Sequence, residues 1–273
     1  FHMLVFFYAW VPLLINVKNQ AGRSIVDLND IMANRHLRIK KRRWISFSSK
    51  DEKEVISSSQ FEPIAITKED AIEIRNLYNK EVEILPYSID FAKKKTAQQG
   101  KYVGFLGAKN NFSEDFIDLL VSSSLIETLA ERQVKLLIAG NICDYINSNE
   151  LKSLKSRGVS VIGSIDSNKE FYDKVHTVIN LSGPSTGAKI KSIEALMYGK
   201  KLISTEFGVD EYTNKYFMKL VYRVAWPLSI EEIIAAILKS SEENVDNTSA
   251  AIEAYDNFVT VSYTHLRAHE TFR

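Results

Sequence analysis

The stretch Gly183 to Gly199, GPSTGAKIKSIEALMYG, decides how the rest of the chain is read. It follows Val175 to Leu181, a run rich in β-branched residues that reads as a buried strand. Beyond it, Ile190, Ile193, Ala195, Leu196 and Met197 recur at helical spacing and predict an apolar helix face. The local order is therefore strand, glycine turn, helix. The N-terminus of such a helix offers unpaired backbone amides and the positive end of the macrodipole, so it suits a phosphate, and Gly187 lets the backbone come close to one. Lys191 and Glu194 stand three apart and share a helix face. The lysine can neutralise phosphate, while the two oxygens of the carboxylate match the vicinal hydroxyls of a ribose. Lys189 lies well round the helix from Lys191 and reaches the same ligand only from the first turn. The Lys191 and Glu194 spacing equally suits an ordinary solvated helix pair, and spacing alone leaves both readings open.

The segment resembles the donor-binding motif of GT-B glycosyltransferases of the large family four, the glycosyl transferases group 1. In many members a Gly-Thr-Gly turn is followed by a basic residue, a lysine and then Glu-Ala, with a glycine closing the helix and an apolar strand after it. Thr186, Gly187, Lys189, Lys191, Glu194, Ala195 and Gly199 fill those places, and Lys201 to Thr205 supplies the strand. The resemblance implies that Thr186, Gly187, Lys189, Lys191 and Glu194 bind the donor. In that reading Glu194 holds the ribose, and Lys191 also serves catalysis by neutralising the departing diphosphate. Many relatives carry two glutamates separated by seven residues, and Thr186 stands where the first of them would be.

The surrounding chain follows the same plan. Lys101 to Leu106 reads as a strand entering a turn at Gly107, followed by Asn111 and the helical pattern of Phe116, Leu119 and Leu120. Val134 to Gly140 repeats strand and glycine turn. Val159 to Gly163, with Ser164 to Asp173, is similar to the family's short strand, glycine turn and acidic-aromatic helix. Alternating strands and helices argue for a parallel α/β layer with ligands at the carboxyl ends of the strands. Gly104 and Gly107 do not form the tight triad of a dinucleotide fingerprint, and there is no Walker A motif.

Upstream, Ile25 to Arg35 reads IVDLNDIMANR, a strand whose end presents Asp27, Asn29 and Asp30. Carboxylates there could orient sugar hydroxyls or act on an acceptor proton; the same residues also suit turns and helix caps. In the family this strand resembles the one ending beside the donor, where many members have a histidine. Asn29 takes that place and cannot act as a general base, which leaves Asp27 and Asp30 as the catalytic candidates. Thr67 with Asp70 resembles a capping box and sets a helix start. Val82 to Asp90, VEILPYSID, resembles the family's strand before the interdomain linker.

These segments imply an α/β chain of GT-B architecture with two Rossmann-like parallel-sheet domains, the first incomplete. Residues 1–90 would be the remainder of an acceptor-side domain, 91–100 a polar linker, and 101–260 the nucleotide-sugar donor domain. A chain of 273 residues with 45% hydrophobic content can bury two modest cores. Met3 to Val17 is apolar but too short for a membrane span and is interrupted by Pro12, so a buried strand from Leu4 to Trp10 leading into a helix is expected. The chain opens on this strand, and the resemblance implies that the family's first βα units and glycine-rich acceptor loop have been truncated. Val261 to Arg273, VSYTHLRAHETFR, has no counterpart in the family. It resembles the translation of a transposase-type sequencing adapter and is set aside from fold reasoning.

A net charge of +1 argues against bulk nucleic-acid binding. The basic run from Arg35 to Arg43, beside Trp44, suits either peripheral contact with anionic membrane or a solvated loop. The single cysteine, Cys143, excludes an internal disulfide and suits a reducing cytoplasm. The histidines are scattered; His265 and His269 stand four apart but fall in the tail, so no metal is expected. The resemblance implies a cytoplasmic glycosyltransferase without a cofactor. It would move a sugar, with retention, from a nucleotide diphosphate sugar to a glycan or lipid-linked acceptor. A nucleotide-sugar epimerase on the same fold remains open, as does a catalytically silent GT-B partner that only binds nucleotide, for which Asn29 and Thr186 argue.

Overall fold

Parallel strands need crossover connections, and the alternation read from the sequence is what the computed structural model contains. It describes residues 3–9, 11–14, 23–28, 31–32, 48–85, 100–184, 189–209, 215 and 217–243. Asn29, Asp30, the basic run from Arg35 to Arg43, linker residues 91–99, Thr186, Gly187 and the tail 261–273 lie outside the described residues. The described residues divide into two units. One runs from Met3 to Leu85 and includes Pro184; the other holds Gly100 to Gly183 and Lys189 to Glu243.

The first unit carries four strands, β1 (Met3–Phe7), β2 (Arg23–Asp27), β3 (Glu62–Ala65) and β4 (Glu83–Ile84), paired in parallel in that order. Helices α1 (Val11–Leu14), α2 (Ser49–Ser57) and α3 (Lys68–Tyr78) make the connections. β1 stops at Phe7, short of the expected Trp10, because Tyr8 turns into the left-handed region at φ 69°. β2 ends at Asp27, one of the residues that the sequence reading put at the end of this strand. α3 starts where the Thr67 and Asp70 pattern predicted: the Thr67 hydroxyl accepts from the Asp70 N–H at 3.0 Å and donates to its carboxylate at 2.6 Å. Phe6, Val26, Val55, Ile56 and Ile74 form the core. Buried among them, Glu52 accepts hydrogen bonds from the Met32 N–H at 2.8 Å and the Tyr78 hydroxyl at 2.6 Å.

The second unit is a six-stranded parallel sheet. Its strands are β5 (Tyr102–Leu106), β6 (Leu136–Ala139), β7 (Ser160–Gly163), β8 (Val175–Asn180), β9 (Lys201–Ser204) and β10 (Val221–Arg223), in the spatial order β10-β9-β8-β5-β6-β7. Side chains alternate between faces, so consecutive strand residues feed two cores. Val103, Phe105, Ile179 and Ile203 pack beneath helices α4 (Asn111–Ser122), α5 (Leu125–Glu131) and α9 (Ile230–Glu242). Val178 and Leu202 pack on the other face with α7 (Asn168–Tyr172) and α8 (Ile190–Met197), while α6 (Ser148–Ser156) links β6 to β7. From β5 the chain runs outward through β6 and β7, then returns to the other side of β5 at β8. The crevice between the carboxyl ends of β5 and β8 is therefore a topological switch point, where open α/β sheets take their ligands. Among the described residues no helix is long and apolar enough to cross a membrane.

Candidate functional site

At the switch point, α8 follows β8 after a loop and begins with Lys189 as its N-cap. The Lys189 carbonyl accepts from the Ser192 N–H at 2.9 Å and the Ile193 N–H at 3.1 Å. The amides of Ile190 and Lys191 thus precede the helical ladder, as the first donors of any helix do. Ser192, Ile193, Ala195 and Leu196 are buried against the sheet, which leaves Lys191 and Glu194 half-buried on the flank.

Lys191 does not point out to solvent as a surface pair would. Its ammonium donates to the carbonyl oxygen of Leu106, the last residue of β5, at 3.2 Å. One helix side chain therefore spans the crevice between the two strands. Burial pushes the Lys191 ammonium below the usual lysine range, and the nearby Glu194 charge partly opposes that shift.

Glu194 is held from α7. The Asn168 amide nitrogen lies 2.9 Å from each of its carboxylate oxygens, and the Tyr172 hydroxyl donates to Oε2 at 3.2 Å. The Tyr172 ring is buried and stacks on Tyr198, with centroids 4.2 Å apart and planes 17° apart. Burial, followed by the Glu194 charge, pushes the Tyr172 hydroxyl well above its usual range, so it stays a donor at neutral pH.

A second set of polar contacts fixes where α8 starts. The Asn180 amide, at the end of β8, donates to the Ser192 hydroxyl at 2.7 Å, and Ser192 donates onward to the Gly208 carbonyl at 2.5 Å. The Ser204 hydroxyl, closing β9, donates to the Asn180 carbonyl at 3.0 Å. Buried polar groups are stable only when paired, so this set holds the end of β8, the first turn of α8 and the end of β9 in one geometry. On the β5 side, a Cβ at Gly183 would fall 2.3 Å from the Phe112 ring, so the β8 loop passes α4 at a distance only glycine permits. Phe112 in turn meets Trp226 edge-on, with centroids 6.2 Å apart.

The described site thus gathers Lys189, Lys191 and Glu194. Asp27 closes β2 in the other unit, where its backbone carbonyl accepts from the Tyr8 N–H at 2.8 Å. Sequence reading missed Asn168, Tyr172, Asn180 and Ser192. The available signal was a polar residue ending an apolar strand, at Asn180, and a serine amid the apolar positions of α8.

The sequence model of the family described as glycosyl transferases group 1 matches residues 100–241, a span that includes every residue of this site. The chain belongs to the glycosyl transferases group 1. No curated protein sequence matches it. Among solved structures, this group 1 chain is similar to TarM, with 17% identity, 98% of this chain and 54% of that one covered, and a TM-score of 0.69. It therefore spans about half the length of TarM. It is also similar to WaaG, a glycosyltransferase involved in lipopolysaccharide biosynthesis, with 15% identity, 90% and 75% of the chains covered, and a TM-score of 0.62. Anabaena HepE, solved in complex with UDP, has 15% identity, 91% and 72% coverage, and a TM-score of 0.63. These likenesses establish a GT-B fold for the group 1 chain, with its two parallel sheets.

Proposed function

We propose that this protein transfers a sugar from a nucleoside diphosphate sugar to a glycan or lipid-linked acceptor, with retention at the anomeric carbon and without a metal. The observation that carries this reading is the placement of Lys191 and Glu194 on one face of α8 at the β5–β8 switch point, with Lys191 directed to the end of β5. A departing diphosphate needs its charge neutralised; Lys191, Lys189 and the first-turn amides near Gly187 would supply that. Glu194 would accept hydrogen bonds from the ribose, and Asp27 and Asp30 would face the acceptor. The UDP found in the Anabaena HepE structure is the kind of ligand this arrangement suits. A basic run from Arg35 to Arg43 would bring the enzyme to an anionic membrane surface, as a cytoplasmic enzyme with a lipid-linked acceptor requires.

Incubation with a panel of nucleotide sugars, with and without EDTA, and measurement of nucleotide release test the reading. Release that persists in EDTA and falls in Glu194→Ala supports it. Nucleotide binding without release from any donor would instead favour a silent partner, and epimerised free sugar without acceptor dependence an epimerase.

A further inference from the structure

A carboxylate offers about four lone-pair directions, and the two that converge between its oxygens form the mouth that a paired donor such as a vicinal diol would chelate. The Asn168 amide nitrogen is 2.9 Å from both Glu194 oxygens, so it sits on the bisector of that mouth. Tyr172 approaches differently. Its hydroxyl comes from the buried side, contacts Oε2 alone at 3.2 Å, and is anchored by the stacked Tyr198 ring. Asn168, by contrast, is an exposed residue in the first turn of a short helix, and its side chain is free to rotate into water at small cost.

We propose that Asn168 stands in for the ribose hydroxyls in the nucleotide-free protein and yields the mouth of Glu194 when a ribonucleotide binds, while Tyr172 keeps the carboxylate in register throughout. This rests on the reading of Glu194 as the ribose contact. The two neighbours then have opposite effects on affinity. Asn168 competes with the ribose for the same oxygens, whereas Tyr172 pre-orients them.

The test is calorimetric titration of the full chain with UDP, GDP and ADP, each beside its 2′,3′-dideoxy analogue. Asn168→Ala is expected to tighten binding of the preferred ribonucleotide about three- to tenfold, and Tyr172→Phe to weaken it about tenfold, the scale of one hydrogen bond to a charged group. Neither should move the dideoxy analogue, a selectivity that a general loosening of the fold would not produce. Asn168→Ser, too short to chelate, should behave as Asn168→Ala does. Weaker ribonucleotide binding in both Asn168 variants, or equal shifts for ribo and dideoxy ligands, overturns the proposal. A Glu194→Ala protein that binds ribonucleotides as tightly as wild type, or a wild type that binds none of them, overturns the donor-site reading and this inference with it.

Discussion

The ammonium of Lys191 donates to the carbonyl oxygen of Leu106, 85 residues earlier in the chain, at 3.2 Å. This bond joins the first turn of α8 to the end of β5 across the switch point, and it holds the ammonium there, the position that the proposed diphosphate contact uses. Because burial has already removed part of its hydration, the ammonium carries some of the desolvation cost before an anion arrives.

On the proposed donor-site reading, the depressed Lys191 ionisation predicts a pH dependence of nucleotide affinity. Lys191 is charged below its folded pKa and neutral above it, and a bound diphosphate favours the charged form. Affinity should therefore hold at neutral pH and fall as pH rises through the free-state value, which lies below the usual lysine range. Calorimetry of UDP from neutral to alkaline pH should show this limb in wild type and not in Lys191→Arg, whose guanidinium stays protonated. Lys191→Met should bind about ten- to a hundredfold more weakly, with a flat profile. An alkaline limb that survives in Lys191→Arg would assign it to another group.

Ser192→Ala removes a hydroxyl that the Asn180 amide donates to and that itself donates to the Gly208 carbonyl. Both partners are then left short of a bond in a buried setting. A loss of about 1–3 kcal/mol is expected in urea unfolding. A change within experimental error would mean that water replaces the hydroxyl there.

Gly183→Ala should cost about 1–3 kcal/mol, because its methyl would sit 2.3 Å from the Phe112 ring, which is braced by Trp226. Adding Phe112→Leu should return part of that loss, so the double-mutant cycle should show coupling between the two sites. Strict additivity would place the strain elsewhere.

His176, on β8, has its Nδ1 2.8 Å from the Thr177 hydroxyl oxygen. Burial first, and then the charges of Lys201 and Lys200, lower its pKa to about 4. The unfolded chain, with histidine near 6.5, binds a proton that the folded protein does not between those values. Its contribution is therefore complete above pH 6.5 and is lost as pH falls toward 4. His176→Gln, which cannot take up that proton, should lose less stability over this window when the midpoint of unfolding is followed against pH. Equal slopes in the two proteins would overturn the assignment.

The fold was legible where local pattern and burial agree. The β-branched run before Gly183, the helical apolar face after it and the glycine turn at Gly107 mark β8, α8 and the end of β5 close to their observed bounds. Strand ends were less legible: at Tyr8 a single left-handed residue stops β1 while the hydrophobic pattern runs on. Lys191 and Glu194 were legible as residues of one helix face, since a spacing of three sets that by geometry alone. Their partners were not. Leu106 meets Lys191 through its backbone carbonyl, which no side-chain pattern reveals, and Asn168 reads as a polar residue in a polar helix start.

What the sequence by itself determined is which segments become strands and helices, that they alternate, and which family they belong to, because periodicity and motif order are local properties of the chain. Only the tertiary structure decided that β5 and β8 lie side by side, and with that the partners of the two residues on α8. Strand order brings together groups that are 85 residues apart in the case of Lys191 and Leu106, and 26 in the case of Asn168 and Glu194. A chain pattern carries no information about such distances until the sheet is assembled, since the hydrophobic faces that drive its packing are satisfied by side chains other than those that meet in the crevice.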